Sequence, residues 1–165
     1  HSWAVFVLPF VEQGNVAALY NINADWASAA NQQARETQMK VMICPSTPNG
    51  SNRFNEKTVN SLAIRAAGGD YAPNNGYGSG LEGAGLVDVR VSQARGGILQ
   101  VNTSWSIPEI ADGTSNTILL SEDAGRPDRY QAGRLISAGT QTDGGWADHD
   151  NEHVVHGFPA DGVTS

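Results

Sequence analysis

The chain has 165 residues, 39% of them hydrophobic, which suits one domain with a modest core. Ten Lys and Arg against 17 Asp and Glu give a formal net charge of −7. That balance excludes a protein that tracks nucleic-acid phosphates or an anionic membrane surface, since both need a basic face. No apolar run approaches the roughly 18 residues of a membrane span, and the start lacks the basic-then-apolar layout of a signal peptide. The chain opens on His1, so the expectation is a domain cut from something longer.

In chain order, Trp3 to Val11 is densely apolar without alternation, and Pro9 is tolerated in a first helical turn. With apolar residues at 11, 16, 19 and 20, this stretch predicts short helical pieces broken at Gly14. Residues 28–39 form the best helix candidate, with Ser28 as N-cap and Ala, Gln, Arg and Glu following. Val41 to Cys44 predicts a short buried strand closed by Pro45, with Ser46 and Thr47 in the turn after it. Residues 46–60 are polar and read as an exposed loop, and residues 61–64 as a strand.

Seven glycines between 68 and 86 predict a large surface excursion. Val87 to Val91 alternates as a half-buried strand does, and residues 97–101 suggest another. Residues 107–111 look like one helical turn stopped by Asp112-Gly113, and Thr117 to Glu122 is a further strand candidate. The class is α+β: short N-terminal helices, then a mainly antiparallel sheet with long Gly/Asn-rich loops. No repeat or linker divides it, so residues 1–165 read as a single domain.

The charge is uneven. Residues 112–165 hold nine acids and three bases, and residues 135–165 hold no Lys or Arg. Within them Asp148, Asp150 and Glu152 alternate, a spacing of oxygen ligands that suits Ca²⁺ in a loop. A solvated acidic loop is the plainer reading. His149-Asp150-Asn151-Glu152-His153 also matches H-x-x-E-H, in which a helix would stack His149 over His153 on zinc with Glu152 as base. His156 adds a third imidazole. Asp150-Asn151 and the preceding Gly144-Gly145 disfavour that helix, and no later Glu supplies a distal ligand. No G-x-S-x-G and no phosphate loop is present.

Asn49-Gly50-Ser51 and Asn102-Thr103-Ser104 match the N-glycosylation pattern. Trp3, Trp26, Trp105 and Trp146 would serve as a sugar platform or as core. Cys44, the single cysteine, reads as a small buried hydrophobe. Asp112-Gly113-Thr114-Ser115-Asn116-Thr117 reads as a corner in which short polar side chains bond nearby backbone.

Several of these pieces, in this order, are shared with one family. They are His1-Ser2-Trp3, Leu8-Pro9-Phe10-Val11-Glu12-Gln13, Leu19-Tyr20-Asn21, Asn31-Gln32 and Ile43-Cys44-Pro45-Ser46. Ile110 to Ile118, with the Asp112–Thr117 block inside it, then Glu122 and Gly144-Gly145-Trp146-Ala147-Asp148 complete the series. The chain resembles the bacterial prepilin-like family with an N-terminal cleavage and methylation helix and a domain of unknown function, also filed among solute-binding proteins. The resemblance implies a pilin-like head domain, the middle of a longer subunit with an assembly helix before it and a further segment after it. It implies an extracellular or cell-surface location and a homopolymer of identical subunits, with no cofactor and no enzyme activity. A secreted carbohydrate- or solute-binding module is the alternative, and a metal-dependent hydrolase built on His149, Glu152 and His153 the second.

Overall fold

The computed structural model describes residues 1–50, 52–87, 96–100 and 103–155. It is α+β, with a few short helices ahead of small, mostly antiparallel sheets.

The N-terminal segment is helical from the third residue. Ser2 caps α1 (Trp3–Val7), its hydroxyl accepting from the Ala4 amide at 3.3 Å. A 3-10 turn over Leu8–Val11 carries Pro9, whose missing N–H costs nothing in a first turn. Glu12 then takes a left-handed φ of 61°, and α2 (Gly14–Leu19) begins at Gly14. The break therefore falls at Glu12-Gln13, one step before the expected glycine. The 28–39 helix is shorter than expected: a 3-10 turn over Ala29–Asn31 and α3 (Gln32–Arg35). Ser28 makes no side-chain cap bond. Asn31 is instead fully buried, accepting from the Asn21 amide at 2.7 Å and donating to the carbonyls of Asn21, Ala24 and Asp25. One amide side chain thus satisfies the backbone of a loop that has no regular structure of its own.

Three expectations fail here. Residues 41–44 are not a strand, because Lys40–Met42 form a 3-10 turn and Ile43 and Cys44 run on from it. Residues 46–60 are not all loop, since β1 (Phe54–Val59) pairs antiparallel with β2 (Leu62–Ala67), Phe54 opposite Ala67. The 68–86 excursion contains β3 (Tyr71–Tyr77) and α4 (Ser79–Gly83). β3 is the central strand of a three-stranded sheet. It lies antiparallel to β4 (Leu120–Glu122) and parallel to β7 (His153–Val155). β4 is only the end of the expected 117–122 strand. A hairpin of β5 (Arg129–Gln131) and β6 (Arg134–Ser137) stands apart. Residues 97–100 form a turn, not a strand, and the 87–91 strand falls largely outside the described residues.

The core gathers Ala4, Val5 and Leu8 of the first helical segment, Val16 of α2, Ala34 of α3, and Ile64, Ala66 and Ala67 of β2 around Trp146. Trp146 arrives on a segment that crosses the end of β2. The Trp146 amide donates to the Ala67 carbonyl at 3.0 Å and the Gly69 amide to the Gly144 carbonyl at 2.8 Å. The approach is so close that a Cβ on Gly144 would lie 2.6 Å from Arg126 Cβ, and one on Gly145 2.7 Å from Ala66 Cβ. Both positions need glycine for space.

The Asp112–Thr117 corner forms as expected. Asn116 Nδ2 donates to the Asp112 carbonyl at 2.7 Å and Thr117 Oγ1 to Asp112 Oδ1 at 2.9 Å. It follows a 3-10 turn over Ile107–Glu109 and leads into β4, where Glu122 stands opposite Tyr71.

Candidate functional site

Beneath the β3 sheet lies a buried polar hub. Asp70 is wholly buried and accepts from Arg53 Nη2 on both oxygens at 2.6 Å. It also accepts from the Cys44 amide at 2.9 Å and the Gly125 amide at 3.1 Å, while its backbone bonds Met42 and Asp123. One residue, through its carboxylate and its backbone, thereby ties the Cys44-Pro45-Ser46 turn, the start of β3, the end of β4 and the loop after it. Cys44 itself is buried and free, as its reading as a small hydrophobe expects. Arg126 extends the hub, donating to Asn151 Oδ1 at 2.6 Å. Every donor and acceptor of Asp70 is used internally, so this cluster is structural.

The acidic stretch near the end of the chain is arranged around a lysine. On β1, Asn55, Lys57 and Val59 share the inward face, and Lys57 Nζ donates to Asp148 Oδ2 at 3.0 Å and to Asp150 Oδ2. Burial works against the Lys57 charge, yet the bonds to Asp150 and Asp148 outweigh it and raise the pKa. Burial pushes the Asp148 carboxyl up, opposed by the Asp150 amide and by Lys57. The lysine bond holds Asp150 down.

The expected calcium trio is divided. Donor atoms of Asp148, His149 and Asp150 lie within 4.8 Å of one another, whereas Glu152 Oε2 accepts from Asn75 Nδ2. An imidazole in place of a carboxylate, with an ammonium already bonded to both aspartates, departs from the oxygen set that Ca²⁺ prefers.

The helix needed by the H-x-x-E-H reading does not form. Residues 146–150 run through turns, fixed by the Asp150 amide donating to Asp148 Oδ1 at 3.0 Å, and His153 begins β7 opposite Asn74. Asp150-Asn151 behaves as turn chemistry predicts. His156 and Asn102 lie outside the described residues. The side-chain amide of Asn49 is engaged, donating to the Gly125 carbonyl at 2.6 Å and to Asp128 Oδ2 at 2.9 Å, bonds that a glycan on this nitrogen would disturb.

Removing Lys57 leaves Asp148 buried without its cation. Lys57→Gln is expected to cost about 1–3 kcal/mol at pH 7, the range for an unsatisfied buried polar or charged group. The variant raises the folded-state Asp148 pKa further above its unfolded value. A group shifted this way retains its stability below the unfolded pKa and loses it as pH rises through the folded one. The deficit of Lys57→Gln against the parent should therefore shrink as pH falls from 7 to 4. Urea titrations at both pH values check this, and a deficit unchanged by pH contradicts it.

The tryptophans separate into two pairs. Trp26 and Trp146 are core residues, so they form no sugar platform. Trp3 and Trp105 line a cleft of about 500 Å³ between the first helical segment and residues 98–100 and 103–105. Phe6, Val7, Pro73, Ile98 and Leu99 make its lining mainly apolar, with Glu152 and His149 among the polar residues. That volume sits within the roughly 300–1,000 Å³ usual for small-molecule sites. The sequence names each of these residues but places them in five separate stretches, so the cleft itself is a product of the fold.

A family model described as "Protein of unknown function (DUF1559)", SBP_bac_10, matches residues 1–159. The chain belongs to that family. No curated protein and no solved structure matches it. The match spans the motif series from His1-Ser2-Trp3 to Gly144–Asp148, so in this DUF1559 domain the Asp70 hub, the glycine crossing and the cleft all fall within the family region.

Proposed function

We propose that this DUF1559 domain is the head of a longer, extracellular or cell-surface, pilin-like or pseudopilin-like subunit that works by self-assembly, without catalysis. Its partners are identical copies, joined through an N-terminal assembly helix and through the head's own surface. The motif series supports the family side of this reading. The observation that carries the assembly side is the two-faced N-terminal segment. Ala4, Val5 and Leu8 enter the core, while Phe6 is 60% and Phe10 85% exposed. Further along, Ile118-Leu119-Leu120 and Leu135-Ile136 are exposed as apolar runs. Consecutive exposed apolar residues support a contact surface more than singly scattered ones do.

Phe10→Ser tests the reading in the complete gene product. The domain should keep its stability within about 0.5 kcal/mol, as an exposed site does, while sedimentable polymer is lost. Polymer undiminished in Phe10→Ser counts against the assembly face. A second reading, a secreted module that binds a small solute, draws its support from the cleft between Trp3 and Trp105.

A further inference from the structure

We propose that the cleft lined by α1 and by residues 98–100 and 103–105 binds an organic cation, a substituted ammonium with an apolar body. The inference rests on the solute-binding reading.

Three aromatic residues, Trp3, Phe6 and Trp105, line one cleft from two distant parts of the chain. Phe6 and Trp105 remain 60% and 51% exposed, so their rings have unsatisfied faces. The carboxylate in the same lining is Glu152. One of its oxygens accepts from Asn75, and the other has no hydrogen bond among the described residues. Glu152 is the one carboxylate among the described lining residues, and they include no Lys or Arg.

Each candidate solute meets this lining differently. An anion would face Glu152 and a net charge of −7. A sugar needs a dense set of polar partners, and this lining is mainly apolar. A neutral apolar molecule would cover the Glu152 carboxylate with only the Asn75 bond to compensate its lost water. An organic ammonium satisfies all three features: its alkyl groups cover apolar surface, its charge lies against ring faces, and the carboxylate balances it. The acidic surface of the domain also favours approach of a cation.

The two other clusters offer no comparable site. The Asp70 hub uses its bonds internally, and Asp148 and Asp150 already hold Lys57.

Choline and 3,3-dimethylbutan-1-ol are a matched pair of probes, alike in shape and differing in the positive charge. The experiment titrates each into the full chain at pH 8 and low salt, following the indole N–H signals of Trp3 and Trp105 by NMR. Choline should shift them saturably and bind at least about tenfold tighter than the neutral alcohol, with that preference shrinking as salt is added. Glu152→Gln, which keeps the side-chain shape, should abolish most of the preference. Trp105→Ala should weaken choline binding, and Trp105→Phe should restore part of it; Phe10→Ser, outside the lining, should leave it unchanged. Equal binding of the two probes would overturn the cation assignment and leave the solute-binding reading standing. No saturable shift with either probe would overturn both. A preference that survives Glu152→Gln, or saturable binding of N-acetylglucosamine in place of choline, would also overturn the proposal.

Discussion

Asp70→Ala is expected to be the most damaging single substitution in the described structure. The loss should be about 3–5 kcal/mol, the cost of leaving a buried charge without its partner. Arg53 is itself buried, and its guanidinium would lose both carboxylate bonds. The Cys44 and Gly125 amides would lose their acceptor as well. Against a total stability of roughly 5–15 kcal/mol, that loss brings the domain close to unfolding. Asp70→Asn should also be severe, because its amide nitrogen would turn a donor toward groups that are all donors. Replacing both partners, as in Arg53→Met with Asp70→Leu, should be milder than Asp70→Ala, since no lone charge remains. Urea unfolding of the three variants checks the order. A loss below about 1 kcal/mol for Asp70→Ala would show that the hub does not hold the loops together.

Trp146→Ala should cost a similar amount, about 3–5 kcal/mol, by emptying the centre of the core. Trp146 is 1% exposed, and its indole Nε1 donates to the Thr37 carbonyl at 3.1 Å. The ring also lies 6.5 Å from Tyr20, centroid to centroid. The flanking glycines that admit the chain here leave little side-chain bulk to collapse into the void. For a domain of this size the melting temperature should fall on the order of 10 °C. Trp146→Phe keeps most of the apolar area and should lose less. A thermal melt with Trp146→Ala within about 2 °C of the parent would place the core elsewhere.

These two residues also mark where the sequence was readable. Helical pieces near the start, the corner at 112–117 and the buried Cys44 follow from local chemistry: capping, turn residues and size. Trp146 stood out as one tryptophan of four and as part of the Gly144–Asp148 motif, but nothing local tells a core ring from an exposed one. β1 was hidden because its inward face carries Asn55 and Lys57, polar residues that take partners across the fold. Asp70 and the buried start of β3 were hidden by the glycines around them. Gly68, Gly69, Gly144 and Gly145 read as loop residues, yet they mark close approach of two backbones. A buried acid becomes legible only once its distant partners are placed. The same is true of the cleft, whose aromatic and acidic residues lie far apart along the chain.

This DUF1559 domain is proposed as the assembling head of a filament subunit. Electron microscopy of the complete gene product, labelled with an antibody against the domain, tests it most directly. Labelled filaments with the domain repeating along their length are expected for the parent, and none for Phe10→Ser. A monodisperse, fully folded monomer of the complete product would contradict it.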